Sequence, residues 1–160
     1  MRYEDRKKAF RDENEYKAFD VLMYLFSAQA DYQVEADNYS FGSAIELFSN
    51  DFIDEHIACA LGCPQMKSFS GRICKGDNAP YFGYRFHLSV IKGNNQSLAE
   101  FKFPDFKLVA FHTIDQLNYR SFFIDSTGII RFSDNPEILA NSTSPEMDWT
   151  LYNCTNDCCL

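Results

Sequence analysis

The chain has 160 residues, a net charge of −8 at neutral pH, and 16 Phe and 9 Tyr that make an aromatic-rich core the expectation. That length suffices for a single domain, and the acidity argues against a nucleic-acid partner, since phosphate binding relies on clustered Lys and Arg. The longest apolar run, Val21 to Phe26, is far short of the ~20 residues needed to span a bilayer, and the first residues lack the basic-then-apolar layout of a secretory signal.

From Asp12 to Ala36, the residues Tyr16, Phe19, Met23, Phe26 and Ala30 recur at spacings of three and four, which predicts one apolar stripe on an α-helix, widened by Val21, Leu22 and Leu25. No Gly or Pro precedes Gly42, so the helix is expected to run from Arg2 to Ala36, roughly 50 Å. A domain of this size does not need so long a helix, and one end should stand clear of the body. Residues 1–17 carry six basic and five acidic side chains with hardly any apolar stripe. Glu4 with Lys8 and Glu13 with Lys17 have the favourable i, i+4 order of an exposed helix. Arg6, Lys7, Lys8 and Arg11 are therefore either a solvated face or a surface for a partner outside this chain.

Residues 37–80 form the expected connecting region. Ser43 followed by Glu46 has capping-box form and predicts a short helix, and Asp51 to Leu61 reads ambiguously as another. From Gly62 to Pro80 the punctuation by Gly and Pro predicts a loop, longer than a compact domain tolerates unless it is functional or stapled. Cys59, Cys63 and Cys74 fall in this region, and Cys154, Cys158 and Cys159 in the last seven residues. An even number placed outside the predicted long helix and strands fits disulfides. The x3 spacings also leave open a thiolate metal site, and free thiols are a third reading.

Past Pro80 the pattern changes to a period of two. Strands are predicted at 84–90, 106–112, 121–125 and 128–132. Phe106, Leu108, Ala110 and His112 should face one side of the second. Asp125 and Gly128 flanking Ser126-Thr127 are hairpin chemistry. Helix first and meander after is an α+β order, a long N-terminal helix packed on an antiparallel sheet in a single domain. Residues 1–36 would be the helix, 81–133 the sheet and 134–160 a polar tail that needs tethering.

Chemistry-bearing patterns are sparse. His87 and His112 lie on predicted strands with no carboxylate at metal-site spacing, and neither Gly-rich phosphate loop motif occurs. A Cys63–His56 nucleophilic pair has nothing specific to support it. The expectation is a non-enzymatic protein without a cofactor or metal.

Several stretches together resemble the type IV pilin and type II secretion pseudopilin family. They are Ala28-Gln29-Ala30-Asp31-Tyr32 with Asn38-Tyr39-Ser40-Phe41-Gly42-Ser43 and Leu47, then Phe82-Gly83-Tyr84-Arg85-Phe86, and Arg120 to Arg131 with its D-x-x-G-x-I turn. The resemblance implies a pilin-like fold and a filament subunit at the cell surface, facing the periplasm before assembly, whose partners are other subunits of the same filament. It also implies an apolar N-terminal half-helix that anchors the subunit in the inner membrane; this chain lacks it. A disulfide near the C-terminus is common in that family, and a further bridge from the C-terminal cysteines to the Cys59, Cys63 and Cys74 loop would account for all six. The competing expectation is a stand-alone extracellular binding module stapled by disulfides.

Overall fold

A computed structural model describes residues 13–36, 40–62, 81–93, 103–113 and 118–147. The order of elements is α1 (Glu13–Glu35), α2 (Ala44–Ser49), α3 (Glu55–Ala60), β1 (Tyr84–Ile91), β2 (Asp105–His112), β3 (Ser121–Asp125) and β4 (Arg131–Ser133). The four strands form one antiparallel sheet in sequence order, and α1 lies across β3 and β2 on one face of it. The architecture is α+β, as the change of period near Pro80 predicts.

The inner face of the sheet follows strand alternation. Tyr84 and Phe86 of β1, Phe106, Leu108, Ala110 and His112 of β2, and Phe122 and Ile124 of β3 are all buried. In-register pairs such as Phe86 with Ala110 and Leu108 with Ile124 set large side chains against small or branched ones across the sheet. Gly83, at φ +80°, lets the chain enter β1 beside His112, where any Cβ would run into the imidazole.

The buried side of the helix is shifted from the predicted centre toward the widening residues Val21, Leu22 and Leu25, all three of which are buried. Glu15, Ala18, Leu22, Leu25, Gln29 and Tyr32 are buried and repeat at three and four, one residue out of phase with the expected set. Of the predicted five, Tyr16 is buried, Phe19, Met23 and Phe26 are half-buried at the flank, and Ala30 is exposed, which corrects its assignment to the core. The predicted stripe was the more apolar of two adjacent ones. The buried stripe carries Glu15 and Gln29, whose partners come from elsewhere in the fold.

Both short helices start on side-chain caps. Ser43 accepts from the Glu46 amide while the Glu46 carboxylate accepts from the Ser43 amide, and Asp54 accepts from the Ile57 amide. Strand β4 begins three residues later than expected. The side chain of Ile130 is fully buried and its carbonyl accepts from Met147 N–H at 2.8 Å, so at Ile130 the chain turns to the core and pairs with the tail instead of extending the hairpin. The tail is tied down by backbone contacts as far as Met147. Phe132 N–H donates to the Pro145 carbonyl, and Arg131 Nη1 to the Ser144 carbonyl at 2.9 Å.

Cys59 is disulfide-bonded and sits on α3, within the 51–61 stretch that reads ambiguously as a helix. Cys63, Cys74, Cys154, Cys158 and Cys159 lie outside the described residues, as do Arg6, Lys7, Lys8 and Arg11 and the predicted first twelve residues of the helix. Among the described residues, no helix is long and apolar enough to cross a membrane.

Candidate functional site

Three polar contacts hold α1 in place. Near its N-terminal end, Glu15 is fully buried; its carboxylate accepts from Arg120 Nη2 at 2.8 Å, Arg120 Nε at 3.1 Å and Arg120 N–H at 3.0 Å. The guanidinium also lies over the rings of Phe122 and Phe132. Two turns from the other end, the buried Gln29 amide donates to the Gly42 carbonyl at 2.7 Å and accepts from the Gly42 N–H at 2.8 Å, standing in for a neighbouring strand. Beside it, the Tyr32 hydroxyl and Lys92 Nζ both donate to Glu46 Oε2, and Lys92 also donates to the Phe41 carbonyl. Partial burial works to raise the Glu46 pKa, but the hydrogen bonds from Tyr32, Lys92 and Ser43 outweigh it and hold the carboxyl down at about 2.

The histidines do not converge. His56 is exposed on α3. His87 pairs with Val109 on the outer face of the sheet, whereas His112 pairs with Tyr84 on the inner face, stacked on Tyr119 with ring centroids 4.0 Å apart. Their opposite orientation follows from strand alternation. Among the described residues, no group of three or more His, Cys, Asp or Glu is arranged to hold a metal ion.

What the fold does assemble is a groove along the outward side of α1. Two adjoining hollows of about 350 and 170 Å³ share Tyr24 and Asp54. The first is completed by Phe48, Asp51, Ile53 and Glu55, the second by Lys17, Asp20, Val21, Ile57 and Tyr81. Asp20, Asp51, Asp54 and Glu55 thus oppose a single Lys17 over an aromatic and aliphatic floor. Partial burial, with the Asp54 charge beside it, raises the Tyr24 phenol above its usual pKa, so Tyr24 stays neutral there. Among the described residues, neither hollow is lined by a Cys or a His.

The outer face of the sheet has the opposite character. Register places Arg85 beside Phe111, His87 beside Val109 and Phe123, and Ser89 beside Lys107. His87, Ser89 and Lys107 are exposed, while Val109 and Phe111 are half-buried. No protein-family model, curated protein or solved structure matches this chain.

Sequence reasoning missed the Glu15–Arg120 and Gln29–Gly42 contacts, which join residues 105 and 13 positions apart. One signal was present: Glu15, Ala18, Leu22, Leu25, Gln29 and Tyr32 hold a regular three-four repeat, interrupted in polarity but not in spacing.

Proposed function

We propose that this chain is the soluble part of a bacterial type IV pilin-like protein, a non-enzymatic structural subunit of a pilus or of a type II secretion filament, working at the cell surface. The observation that carries the reading is the architecture itself, a helix laid across an antiparallel meander with one side of the helix turned away from the sheet. The stretches that resemble the family also fall at structurally demanding points. Gly83 has the left-handed turn into β1, Arg120 holds the buried Glu15, and Asp125 and Gly128 shape the turn after β3.

In this reading the subunit's partners are other pilin or pseudopilin subunits, and its link to the inner membrane is an apolar segment joined ahead of residue 1. The mixed charges of the first 17 residues would pair between neighbouring helices. Joining an apolar segment of about 20 residues to the N-terminus should allow incorporation into filaments, scored by shearing and immunoblotting. Charge reversal at Arg6, Lys7 and Lys8 should then impair assembly while the isolated domain keeps its unfolding curve. Filaments unaffected by that triple change would count against residues 1–17 as an assembly surface.

A stand-alone extracellular binding module is the second reading, favoured by the disulfide at Cys59 and the groove around Tyr24. The coding sequence upstream of Met1 separates the two. A short basic leader followed by a retained apolar run supports the filament subunit, and an ordinary cleaved signal peptide supports the module.

A further inference from the structure

We propose that β1 pairs edge to edge with β1 of a second copy of this chain, antiparallel and centred on Ser89, so that two sheets become one. The inference goes beyond the filament reading and does not depend on it. Its starting point is the unequal treatment of the two edges of the sheet. Strand β4 is three residues long, and the tail covers its outer edge: Phe132 N–H donates to the Pro145 carbonyl, Met147 N–H to the Ile130 carbonyl, and Arg131 bridges to Glu146. Strand β1 is the other edge, eight residues long and paired with β2 in an unbroken register. Natural sheets blunt an edge of that length with a charge, a proline, a bulge or a covering segment.

The phase of the hydrogen bonds says which groups of β1 are left over. Thr113 N–H donates to the Gly83 carbonyl at 2.9 Å, so every second residue after Gly83, namely Arg85, His87, Ser89 and Ile91, bonds to β2. The backbone N–H and C=O groups of Tyr84, Phe86, Leu88 and Val90 therefore point away from the sheet. Tyr84 exchanges both of its groups with Tyr81, which closes the edge at that end. Among the described residues, nothing bonds to those of Leu88 and Val90.

The side chains there lack the usual guards. From Phe86 to Ile91 the sequence holds no Asp, Glu, Lys, Arg, Pro or Gly. Lys92, next in the chain, is turned to the Glu46 carboxylate and the Phe41 carbonyl. Leu88 and Val90 belong to the inner face, yet they are only half-buried where their register mates Leu108 and Phe106 are buried, and Ile91 is 45% exposed. A second β1 answers these features in one register. With Ser89 opposite Ser89, the outward groups of Leu88 meet those of Val90 and the reverse, their side chains adjoin on the inner face, and Ile91 lies beside His87 on the outer one. No like charges stand opposite each other in that window, although the chain as a whole carries −8. The contact is isologous, and it closes at two copies.

The test follows the full 160-residue chain by sedimentation and by amide exchange at about 10 µM and about 1 mM, concentrations that bracket a weak contact. The expected result is a monomer at the lower concentration and a dimer at the higher. The Leu88 and Val90 amides should exchange fast in the monomer and become protected in the dimer, while those of His87 and Ser89, bonded to β2, are protected in both. Ser89→Lys and Ser89→Glu, on an exposed side chain, should each weaken the dimer about tenfold, because the symmetry axis sets the two new charges against each other. Mixing the two variants should restore it. A chain that stays monomeric at the higher concentration, a dimer indifferent to both Ser89 changes, growth beyond two copies, or protection that arises elsewhere overturns the proposal. Protection of Leu88 and Val90 by an added peptide of the 86–91 sequence, with the chain itself monomeric, would assign the edge to an extended peptide and overturn the self-pairing.

Discussion

The two ends of α1 are held by polar contacts of opposite kinds. At the Glu15 end a charge is fully buried and receives three donors from one arginine. At the Tyr32 end the buried contact is a neutral amide pair, and the charged one, Glu46 with Lys92, is more than a third exposed on both side chains. Water decides the difference. A buried charge that loses its partner is left without solvent, whereas a half-exposed one is rehydrated. The first end should therefore be brittle and the second forgiving, although both look equally well bonded by distance.

Breaking the buried pair gives the largest expected effect. Arg120→Ala strands the Glu15 carboxylate in the core and should cost about 3–5 kcal/mol; urea unfolding measures it. Converting both partners, Glu15→Leu with Arg120→Met, should recover much of that loss, because well-packed apolar pairs can replace buried ion pairs. Failure to recover would mean that the backbone N–H of Arg120, which also donates to Glu15, dominates the contact.

Gln29→Leu comes next. It orphans both the N–H and the carbonyl of Gly42 and should cost roughly 2–3 kcal/mol. The loss should appear first as faster amide exchange at Gly42.

The Glu46 cluster sharpens the comparison through pH. Its folded pKa of about 2 lies below the ordinary 4.5, so its contribution is fully present above pH 4.5 and is lost as pH falls toward 2. Glu46→Gln should be less stable than the parent at pH 6, with the gap closing across that window. A gap independent of pH would assign the effect to the capping geometry of Ser43 instead. Lys92→Met, at the exposed end of the same cluster, should change stability by less than about 1 kcal/mol and become neutral in high salt.

Phe26 shows how the same distinction bears on packing. Its spacing places it among the core residues, yet it is only half-buried, seated over Gly128 and tilted against Phe106 at 6.2 Å. Truncating it should cost less than truncating Leu22, which is fully buried; cavity cost follows the space that cannot refill.

Much of the architecture was legible in the sequence because local rules sufficed for it. The period-two runs located four strands and the inner face of β2, the Ser43 and Glu46 spacing located a cap, and the lack of Gly and Pro before Gly42 located a helix. Each depends on residues within a few positions of one another. Which side of α1 enters the core was not a local matter. Two stripes with the same spacing lie side by side, and the one with fewer apolar residues is buried because Arg120 and the Gly42 backbone arrive to satisfy Glu15 and Gln29. The groove is of the same kind, since Asp20 and Tyr24 of α1 meet Asp51 and Tyr81 from distant parts of the chain. Sequence determined which segments are helix and strand through periodicity and capping. Tertiary structure alone decided which polar groups are buried, because the free energy of burying a charge or an amide depends on a partner that only the folded chain brings to it.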